Sequence, residues 1–574
     1  MADQVIRGGT IADGTGAPLF EADIAIEHGR ISAIGRKLPA GEQEIDARHL
    51  LVTPGFVDIH THFDGQACWD EHLWPSSLHG VTTAVMGNCG VGFAPVRAGD
   101  RDRLVELMEG VEDIPGVTLH EGLRWNWESF GQYLDVIGAR ARDIDIAAQL
   151  PHGALRLYVM GDRAMALEPA DEVEIARMRE LTRQAMVAGA IGFSSSRSLN
   201  HKSVAGDPTP SLRAEEAELA GIAMGLADAG HGVLQFISDF APDADAEFAM
   251  LERIARQSGR PISISLAQRH SRNSDAWRRM LGRIEAANEH GVSFLAQVAP
   301  RQIGVLFGLM TSRNPFANCP TFMALHGLDA RDKAAAMRDP ARRTAILAEA
   351  LASEVDVIGN LRIDFERIFA LGDPPDYEPD PSQALAARAR AAGVSPHEIA
   401  YDAMLERDGT GLLLAPFANY NDGNLDCCGE MLAHPYTVPG LGDGGAHVGI
   451  ICDGSFPTFT LAHWGLRRKQ GRLPIEMLVE RLTARTARAV GLTDRGRIAV
   501  GLKADLNIID PDALGIAAPE IRFDLPAGGR RFHQRATGYR ATMVSGRVTY
   551  RDGQPSGALP GALIRAGARA GMRA

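Results

Sequence analysis

The stretch GFVDIHTHFD, residues 55–64, is a short apolar run that ends in two histidines separated by one residue. Such a run is typical of a buried strand, and side chains two residues apart on a strand point to the same face. His60 and His62 therefore leave the end of the predicted strand side by side. Two imidazoles so placed suit a divalent metal ion, and the stretch predicts a metal site that needs further ligands.

Short apolar strands of the same kind recur along the middle of the chain, most of them after a helix and a glycine. Leu219, Ile222 and Leu226 share one face of a predicted helix that stops at Gly230, and VLQFISDF follows. Glycine suits the left-handed helix cap, and continuous apolar strands suit a parallel sheet covered on both faces. This alternation predicts an α/β fold, a (β/α)₈ TIM-like barrel, with an open doubly wound sheet as the alternative. The eight candidate strands are GFVDIHTH, VTTAVMGN, DIAAQLPHG, AIGFSSS, VLQFISDF, PISISLAQ, VSFLAQV and YTVPGLGDGG.

The two ends of the chain differ from the middle, because both consist of short predicted strands joined by tight turns. In IAIEHGRISAIG apolar and other residues alternate on both sides of a His-Gly turn, as in a hairpin. KADLNIID and ATMVSGRVTY show the same pattern of short strands near the other end. We expect the two ends to meet in one small β-sandwich domain. The predicted organisation is a first β-sandwich part at residues 1–54, the barrel at 55–488, and a second β-sandwich part with a tail at 489–574.

The composition argues against several classes of partner. Lys and Arg number 59 against 72 Asp and Glu, a net charge of −13 that disfavours nucleic acid and anionic membranes. No apolar run approaches the roughly 20 residues of a membrane span, and the N-terminus does not resemble a signal peptide. Six cysteines are too few for a disulfide framework, so we expect a reducing, cytoplasmic location. Whether the protein forms a homo-oligomer stays open, since no segment of the sequence identifies an interface.

In a barrel of this type the chemistry lies at the carboxyl ends of the strands. Cys89 follows strand two, where a thiolate suits a metal; a small buried thiol is the alternative. Asp443 follows strand eight in LGDGGAH, where a carboxylate can serve as a ligand and accept a proton from bound water. An aspartate of a tight turn is the alternative there. His152 after strand three, His201 after strand four and His447 are further candidates for metal or substrate contact.

PGFVDIHTH, GVTTAVMGNCG, PHGALR and GDGGAH together resemble the amidohydrolase superfamily, in particular its D-aminoacylase (N-acyl-D-amino-acid deacylase) branch, over essentially the whole chain. GNCG after strand two is more specific to this branch than the histidine pair is. The resemblance implies a barrel with a β-domain built from both chain ends. It also implies that His60 and His62 are strand-one metal ligands, that Cys89 is the metal-binding cysteine, and that Asp443 is the general acid/base.

The sequence departs from this branch where its members carry two further metal-binding histidines. Phe236 aligns with the position in strand five and Leu266 with the position in strand six, and neither side chain can bind zinc. Neither strand offers a histidine before His270. We therefore expect one Zn²⁺ ion centred on strand one, with the second site in doubt. Oxygen or nitrogen ligands that are candidates to replace the histidines are Gln235, Asp239, Gln268 and His201.

The segment expected to bind the substrate departs from the branch as well. Members of the branch place an arginine after the catalytic aspartate to hold the substrate carboxylate, whereas this chain has VGIICDGSFP there. Arg301, after strand seven, is a candidate replacement because a guanidinium suits bidentate contact with a carboxylate. The alternative is an arginine paired with a nearby acid such as Asp364.

These features indicate a metal-dependent amidohydrolase that acts on C–N bonds other than peptide bonds and takes a small-molecule amide. The preferred hypothesis is deacylation of an N-acyl amino acid by metal-activated water, with Asp443 as general acid/base. Amino acids of D configuration are among the expected substrates. One alternative is a hydrolase of a cyclic amide, carbamate or larger amide without a free carboxylate, which the missing arginine motivates. Another is a degenerate, non-catalytic binding or scaffold protein, which the missing histidines motivate.

Overall fold

Eight parallel strands form the central sheet of this computed structural model, which describes residues 1–241, 243–269, 275–352 and 363–567. The strands lie side by side in sequence order, and a parallel bridge between Thr61 and Gly444 links the loops after the first and the last of them. The sheet is thus nearly closed, and the predicted (β/α)₈ barrel is confirmed. We call them barrel strands one to eight: Phe56–Asp58, Val81–Met86, Asp145–Pro151, Gly192–Arg197, Val233–Ser238, Ile262–Ser265, Phe294–Val298 and Thr437–Pro439.

Helices cover the outside of the barrel because each has an apolar face to bury. The helix Glu216–Ala229 buries Leu219, Ile222 and Leu226, and it ends at Gly230 with a φ of +80°. A glycine adopts this left-handed conformation without strain, so the chain can turn there into barrel strand five. The other helices before strand seven are Arg101–Glu112, Gly116–Gly122, Phe130–Gly138, His152–Met160, Asp162–Met165, Glu172–Ala188, Ala244–Ser258 and Ala276–Glu289. After strand eight come Phe456–Phe459, Thr460–Arg467, Ile475–Glu480, Arg481–Arg485 and Thr486–Ala489.

An insertion between barrel strands seven and eight is a part of the fold that the sequence did not predict. It contains a three-stranded antiparallel sheet of Ile303–Phe307, Leu413–Ala418 and Phe369–Ala370, with its own apolar cluster. The amide of Ser312 donates to Gly449 O at 3.1 Å, so the insertion packs against the loop that follows strand eight. Its helices are Pro320–Met323, Ala330–Met337, Pro340–Leu351, Leu385–Ala392, Pro396–Gly409 and Asp426–Ala433.

Strands from both ends of the chain pair in one nine-stranded sheet. Leu51–Pro54 runs antiparallel to Leu506–Ile509, which makes segments far apart in the sequence direct neighbours. The boundaries at residues 54/55 and 488/489 stay a prediction. The other strands of this sheet are Gln4–Ile11, Phe20–Glu27, Arg30–Gly35, Gln43–Asp46, Tyr539–Val544, Arg547–Arg551 and Gln554–Pro555. Two small antiparallel pairs complete the described strands: Gly515–Ile516 with Ala536–Thr537, and Glu520–Leu525 with Gly529–His533.

A buried ionic network joins the barrel to the sheet of the chain ends. Arg495 and Lys503 each approach Oδ2 of Asp145 to 2.5 Å, and Lys503 also contacts Asp505 at 2.9 Å. Asp145 begins barrel strand three, whereas the other three residues lie beyond residue 490. Buried charges are costly unless they are paired, so each member of this network depends on the others.

The segment after the last strand packs along the start of barrel strand three. Ile146 N donates to Ala562 O at 3.0 Å, and Ile564 N donates to Ile146 O at 2.7 Å. Ile564 and Ala566 also pack against a cluster of apolar side chains from several barrel strands. The sequence left open whether this tail is packed or frayed, and residues 560–566 of it are packed against the barrel. None of the helices that the structure describes is long and apolar enough to cross a membrane.

Candidate metal centre

His60 and His62 follow barrel strand one, and both rings are buried. Nε2 of His60 lies 3.3 Å from Sγ of Cys89 and 3.4 Å from Oδ1 of Asp443. Nε2 of His62 lies 3.8 Å from the same Asp443 oxygen. The fold thus brings the four residues named as metal ligands from the sequence to one place.

Three of the distances between these donor atoms match the spacing of ligands around a tetrahedral ion. Zinc ligands lie ~2.0–2.3 Å from the ion, which separates two ligands of a tetrahedral site by ~3.3–3.8 Å. The three distances of 3.3, 3.4 and 3.8 Å fall in this range. Ligand atoms of His60, His62 and Cys89 also lie within 4.8 Å of one another. Imidazole, thiolate and carboxylate donors suit Zn²⁺, so the residues present fit one divalent ion.

A tight turn after barrel strand two aims Cys89 at the histidines. Cys89 has a φ of +55°, and it lies between Gly87 and Gly90, which are also left-handed. A Cβ at Gly87 would lie 2.3 Å from Gln149 O, and one at Gly90 would lie 2.9 Å from Ser196 N. Only glycine fits this close approach, and the sequence GNCG supplies it at both positions.

Asp443 is held against the end of strand one by backbone hydrogen bonds. Its amide donates to His60 O at 3.1 Å, and His62 N donates to Gly444 O at 2.8 Å. Asp443 itself has a φ of +45°. These contacts place its carboxylate beside both imidazoles and make Asp443 the most exposed of the four, with 17% of its side chain accessible.

Two buried oxygens face the other nitrogens of the histidine pair. Oε1 of Gln297, on barrel strand seven, lies 2.5 Å from Nδ1 of His60, and its amide nitrogen donates to Ser263 Oγ at 3.0 Å. Oε1 of Glu112 lies 3.3 Å from Nδ1 of His62. Both histidines therefore turn Nδ1 toward an oxygen and Nε2 toward the shared position, the arrangement that a metal-binding histidine usually has.

Neither Gln297 nor Glu112 was among the residues named from the sequence. Gln297 carries a recognisable signal, because it is a polar residue in the otherwise apolar strand FLAQV. The signal at Glu112 is weaker. It ends the helix Arg101–Glu112, where an acidic side chain opposes the helix dipole and so needs another reason to be there.

Burial controls the protonation of the metal-free centre. It raises the pKa of Asp443 to about 7 and lowers the pKa of His60 to about 4, and it lowers the pKa of His62 well below its ordinary value. Burial also raises the pKa of the Cys89 thiol, and the neighbouring carboxylate of Glu112 adds to the effect. The imidazoles are therefore in the neutral form that binds metals, while a bound cation would favour the thiolate.

The other candidate histidines have different surroundings. Nδ1 of His152 lies 2.8 Å from Ser195 Oγ, and its Nε2 lies 2.8 Å from Glu218. Both ring nitrogens are therefore engaged in hydrogen bonds. Nδ1 of His201 contacts Ser196 Oγ at 2.8 Å. Burial is the main reason that the pKa of His201 is lowered to about 4, and nearby His60 contributes in the same direction. His152 is held by its two partners, and the one side-chain contact described for His201 is with Ser196.

Arg301 is buried and its charge is compensated within the fold. One guanidinium nitrogen lies 2.9 Å from Asp453, and the guanidinium carbon lies 3.7 Å from the centre of the Tyr377 ring. The acid that pairs with Arg301 is therefore Asp453, while Asp364 lies 3.7 Å from Arg367. A substrate carboxylate at Arg301 would have to compete with Asp453.

Phe236 and Leu266 lie outside the ligand set for a geometric reason. Oε1 of Gln235 accepts from Cys89 N at 3.2 Å, so Gln235 points into the barrel and the next residue, Phe236, points away. On strand six, Ser263 contacts the inward-facing Gln297, which places Ser265 on the inner face and Leu266 on the outer one. The inward groups of these two strands therefore include amide and hydroxyl oxygens in place of imidazoles.

Two other candidate replacements are engaged elsewhere. Asp239 lies 2.9 Å from Arg269, and Gln268 donates to Asp422 at 3.0 Å. His270 lies outside the described residues.

Comparisons with known proteins show what the chain is similar to. A family model described as "Amidohydrolase family" matches residues 43–550. A D-aminoacylase of Alcaligenes xylosoxydans xylosoxydans is 28% identical over 559 residues, covering 96% of this chain and 95% of the relative. A D-aminoacylase structure aligns with a TM-score of 0.64 at 23% identity, over 98% of this chain and 100% of that one. It is described as having a binuclear metal centre with one-metal activation and second-metal attenuation. An N-acyl-D-glutamate deacylase of Bordetella bronchiseptica, in complex with zinc and a phosphonate inhibitor, aligns with a TM-score of 0.63 at 23% identity and the same coverage.

Proposed function

Because the family model covers residues 43–550, the chain belongs to the amidohydrolase family, and on that premise we propose that it is a metal-dependent deacylase of N-acyl amino acids. One observation carries the proposal. Nε2 of His60 lies 3.3 Å from Cys89 Sγ and 3.4 Å from Asp443 Oδ1, and Nε2 of His62 lies 3.8 Å from the same oxygen, which are spacings found between ligands that share one ion. The D-aminoacylase and the N-acyl-D-glutamate deacylase to which the chain is similar support the choice of an N-acyl-D-amino acid as substrate.

We propose Zn²⁺ as the ion and one ion per chain. The donor set of two imidazoles, a thiolate and a carboxylate suits zinc, and a similar structure contains zinc. A similar D-aminoacylase has a binuclear centre, but the inner faces of barrel strands five and six offer Gln235 and Ser265 here. Amide and hydroxyl groups are weaker zinc ligands than imidazole, which favours a single ion.

The chemistry divides between the ion and the side chains. A divalent ion bound here would polarise the amide carbonyl and make a nearby water more acidic. Asp443 is the side chain suited to move the proton, because its carboxylate faces both imidazoles and is the most accessible of the four. It would accept the proton from water and deliver it to the departing nitrogen. Gln297 and Glu112 keep the two imidazoles turned toward the same position.

A second candidate function is favoured by the state of Arg301. This residue was the sequence-based candidate for binding a substrate carboxylate, and it is already paired with Asp453 at 2.9 Å. An amide without a free carboxylate would not need to displace Asp453. The two candidates share the metal centre and differ only in the substrate.

Metal analysis combined with a substrate panel tests both. We expect about one ion per purified chain, loss of activity on chelation, and recovery with Zn²⁺, Co²⁺ or Mn²⁺. We expect N-acyl-D-amino acids to have a higher kcat/KM than their methyl amides, whereas the reverse order would favour the second candidate. His62→Ala should prevent recovery, and His120→Ala, an exposed histidine, should not. A chain that neither binds metal nor hydrolyses any member of the panel would refute the proposal.

A further inference from the structure

Glu112 is a buried carboxylate that contacts two histidines of the centre at once. Only 2% of its side chain is exposed. Its Oε1 lies 3.3 Å from Nδ1 of His62, and its Oε2 lies 3.5 Å from Nε2 of His447. Acidic side chains are almost never buried to this degree unless they are paired, so these contacts need an explanation.

The contact with His62 determines which ring nitrogen is available. Nδ1 of His62 and Oε1 of Glu112 are both buried, and among the described residues neither forms a hydrogen bond that would compete with their mutual approach to 3.3 Å. A small rotation of either side chain would complete a hydrogen bond between them. An N–H at Nδ1 directed at the carboxylate leaves Nε2 without a hydrogen, and this nitrogen faces Asp443 at 3.8 Å.

The same carboxylate also contacts His447, which belongs to another part of the barrel. His447 lies in the loop after barrel strand eight, four residues beyond Asp443, and its amide donates to the backbone oxygen of Glu112. Both Asp443 and His447 have left-handed φ angles, +45° and +48°. Left-handed residues other than glycine persist where the surroundings hold them, and Glu112 supplies part of that support.

We propose that Glu112 is a positioning residue of the metal centre, which orients His62 from strand one and fixes the loop carrying Asp443 through His447. The proposal rests on the proposed function only in requiring that an ion binds at His62. Loss of a carboxylate that orients a metal-binding histidine typically weakens metal affinity by ~10–100-fold.

Metal affinity, measured by competition with a chelator, is the direct test. Glu112→Ala should bind Zn²⁺ ~10–100-fold more weakly than the wild type. Glu112→Gln keeps an oxygen that can accept from Nδ1, so it should show a smaller loss in the same direction. Glu106→Gln, on the exposed side of the same helix, is the matched control and should bind as the wild type does. Visible absorption of the Co²⁺-loaded proteins should change in Glu112→Ala because the ring of His62 is no longer fixed.

The outcomes separate this inference from the proposed function. A wild type that binds no metal refutes the proposed function. A wild type that binds one ion, with Glu112→Ala equal to it in affinity and cobalt spectrum, overturns only the role of Glu112. Circular dichroism verifies folding, and if the alanine variant does not fold, Glu112→Gln decides, because it keeps the volume of the side chain. Unchanged affinity in that variant would then overturn the inference.

Discussion

Nδ1 of His60 lies 2.5 Å from Oε1 of Gln297, a side chain that enters the barrel from strand seven. An amide oxygen can only accept a hydrogen bond, so this contact puts the hydrogen on Nδ1 and leaves Nε2 free toward Cys89 and Asp443. Gln297 is itself held by Ser263 on the adjacent strand, at 3.0 Å. The barrel wall thus sets the orientation of a metal ligand that belongs to another strand.

Gln297→Leu should weaken metal binding because it removes the oxygen that holds His60 and puts an apolar side chain of similar size in its place. The expected loss of Zn²⁺ affinity is ~10–100-fold, measured by chelator competition. Gln184→Leu, at an exposed position of a barrel helix, is the control. Equal affinity in Gln297→Leu and the wild type would show that the contact does not orient the ring.

Asp443→Asn should lower kcat because an amide cannot accept the proton that a carboxylate accepts. Loss of a general acid or base typically costs ~10²–10⁴-fold, and steady-state kinetics on the best substrate measures it. Metal content is determined on the same samples, since Asp443 is also a candidate ligand. Asp402→Asn, on the exposed surface of the insertion, should behave as the wild type. A kcat for Asp443→Asn close to that of the wild type would assign proton transfer to another group.

The stability of the metal-free protein should depend on pH through Asp58. Burial raises the pKa of Asp58 to about 7 from its ordinary 3.8, so between these values the folded chain holds a proton that the unfolded chain has lost. The contribution of this group to the free energy of unfolding is therefore greatest below about pH 4, and it falls by ~1.4 kcal/mol per pH unit as the pH rises toward 7. Asn at this position does not titrate.

Urea denaturation at pH 5 and pH 7 checks this prediction. We expect the chelator-treated wild type to lose up to ~3 kcal/mol more than Asp58→Asn over this interval. Buried histidines such as His60 shift stability in the opposite direction, but they are present in both proteins and cancel in the comparison. Parallel pH profiles would contradict the raised pKa.

Asp145→Ala should destabilise the fold strongly because it removes the buried carboxylate that Arg495 and Lys503 share and leaves two buried cations to Asp505 and the more exposed Asp494. Breaking a buried ion pair from one side typically costs ~3–5 kcal/mol. Asp402→Ala breaks an exposed pair with Arg343 and should cost ~0–1 kcal/mol. Chemical denaturation of the three proteins gives the difference, and similar losses in both variants would show that the network contributes little.

The positions of the eight barrel strands were predictable because each is an apolar run bounded by a glycine or a helix. The insertion was not, since its strands Ile303–Phe307 and Leu413–Ala418 lie more than 100 residues apart and pair with each other only through the fold. Local periodicity cannot identify such a pairing. It shows which segments are strands and does not show that two of them leave the repeating barrel unit.

The candidate site was predictable where its residues come directly after a strand, as His60, His62, Cys89 and Asp443 do. Glu112 could not be found in this way, because it comes from the end of a helix and reaches the site only through tertiary packing. Phe236 and Leu266 illustrate a related difficulty. The sequence shows that neither position carries an imidazole. The direction of each side chain, however, depends on how its strand pairs with the neighbouring strands.

The pairing of Leu51–Pro54 with Leu506–Ile509 has a consequence for how the protein is made. Roughly 450 residues separate the two strands, and at a synthesis rate of ~5–20 residues per second the first waits ~20–90 s for the second. During that time Leu51–Pro54 lacks this partner strand, and an unpaired strand edge is a template for association with other chains. The barrel residues in between emerge before the sheet beside them can be completed, so a lower concentration of nascent chains and a supply of chaperone should favour recovery of folded protein.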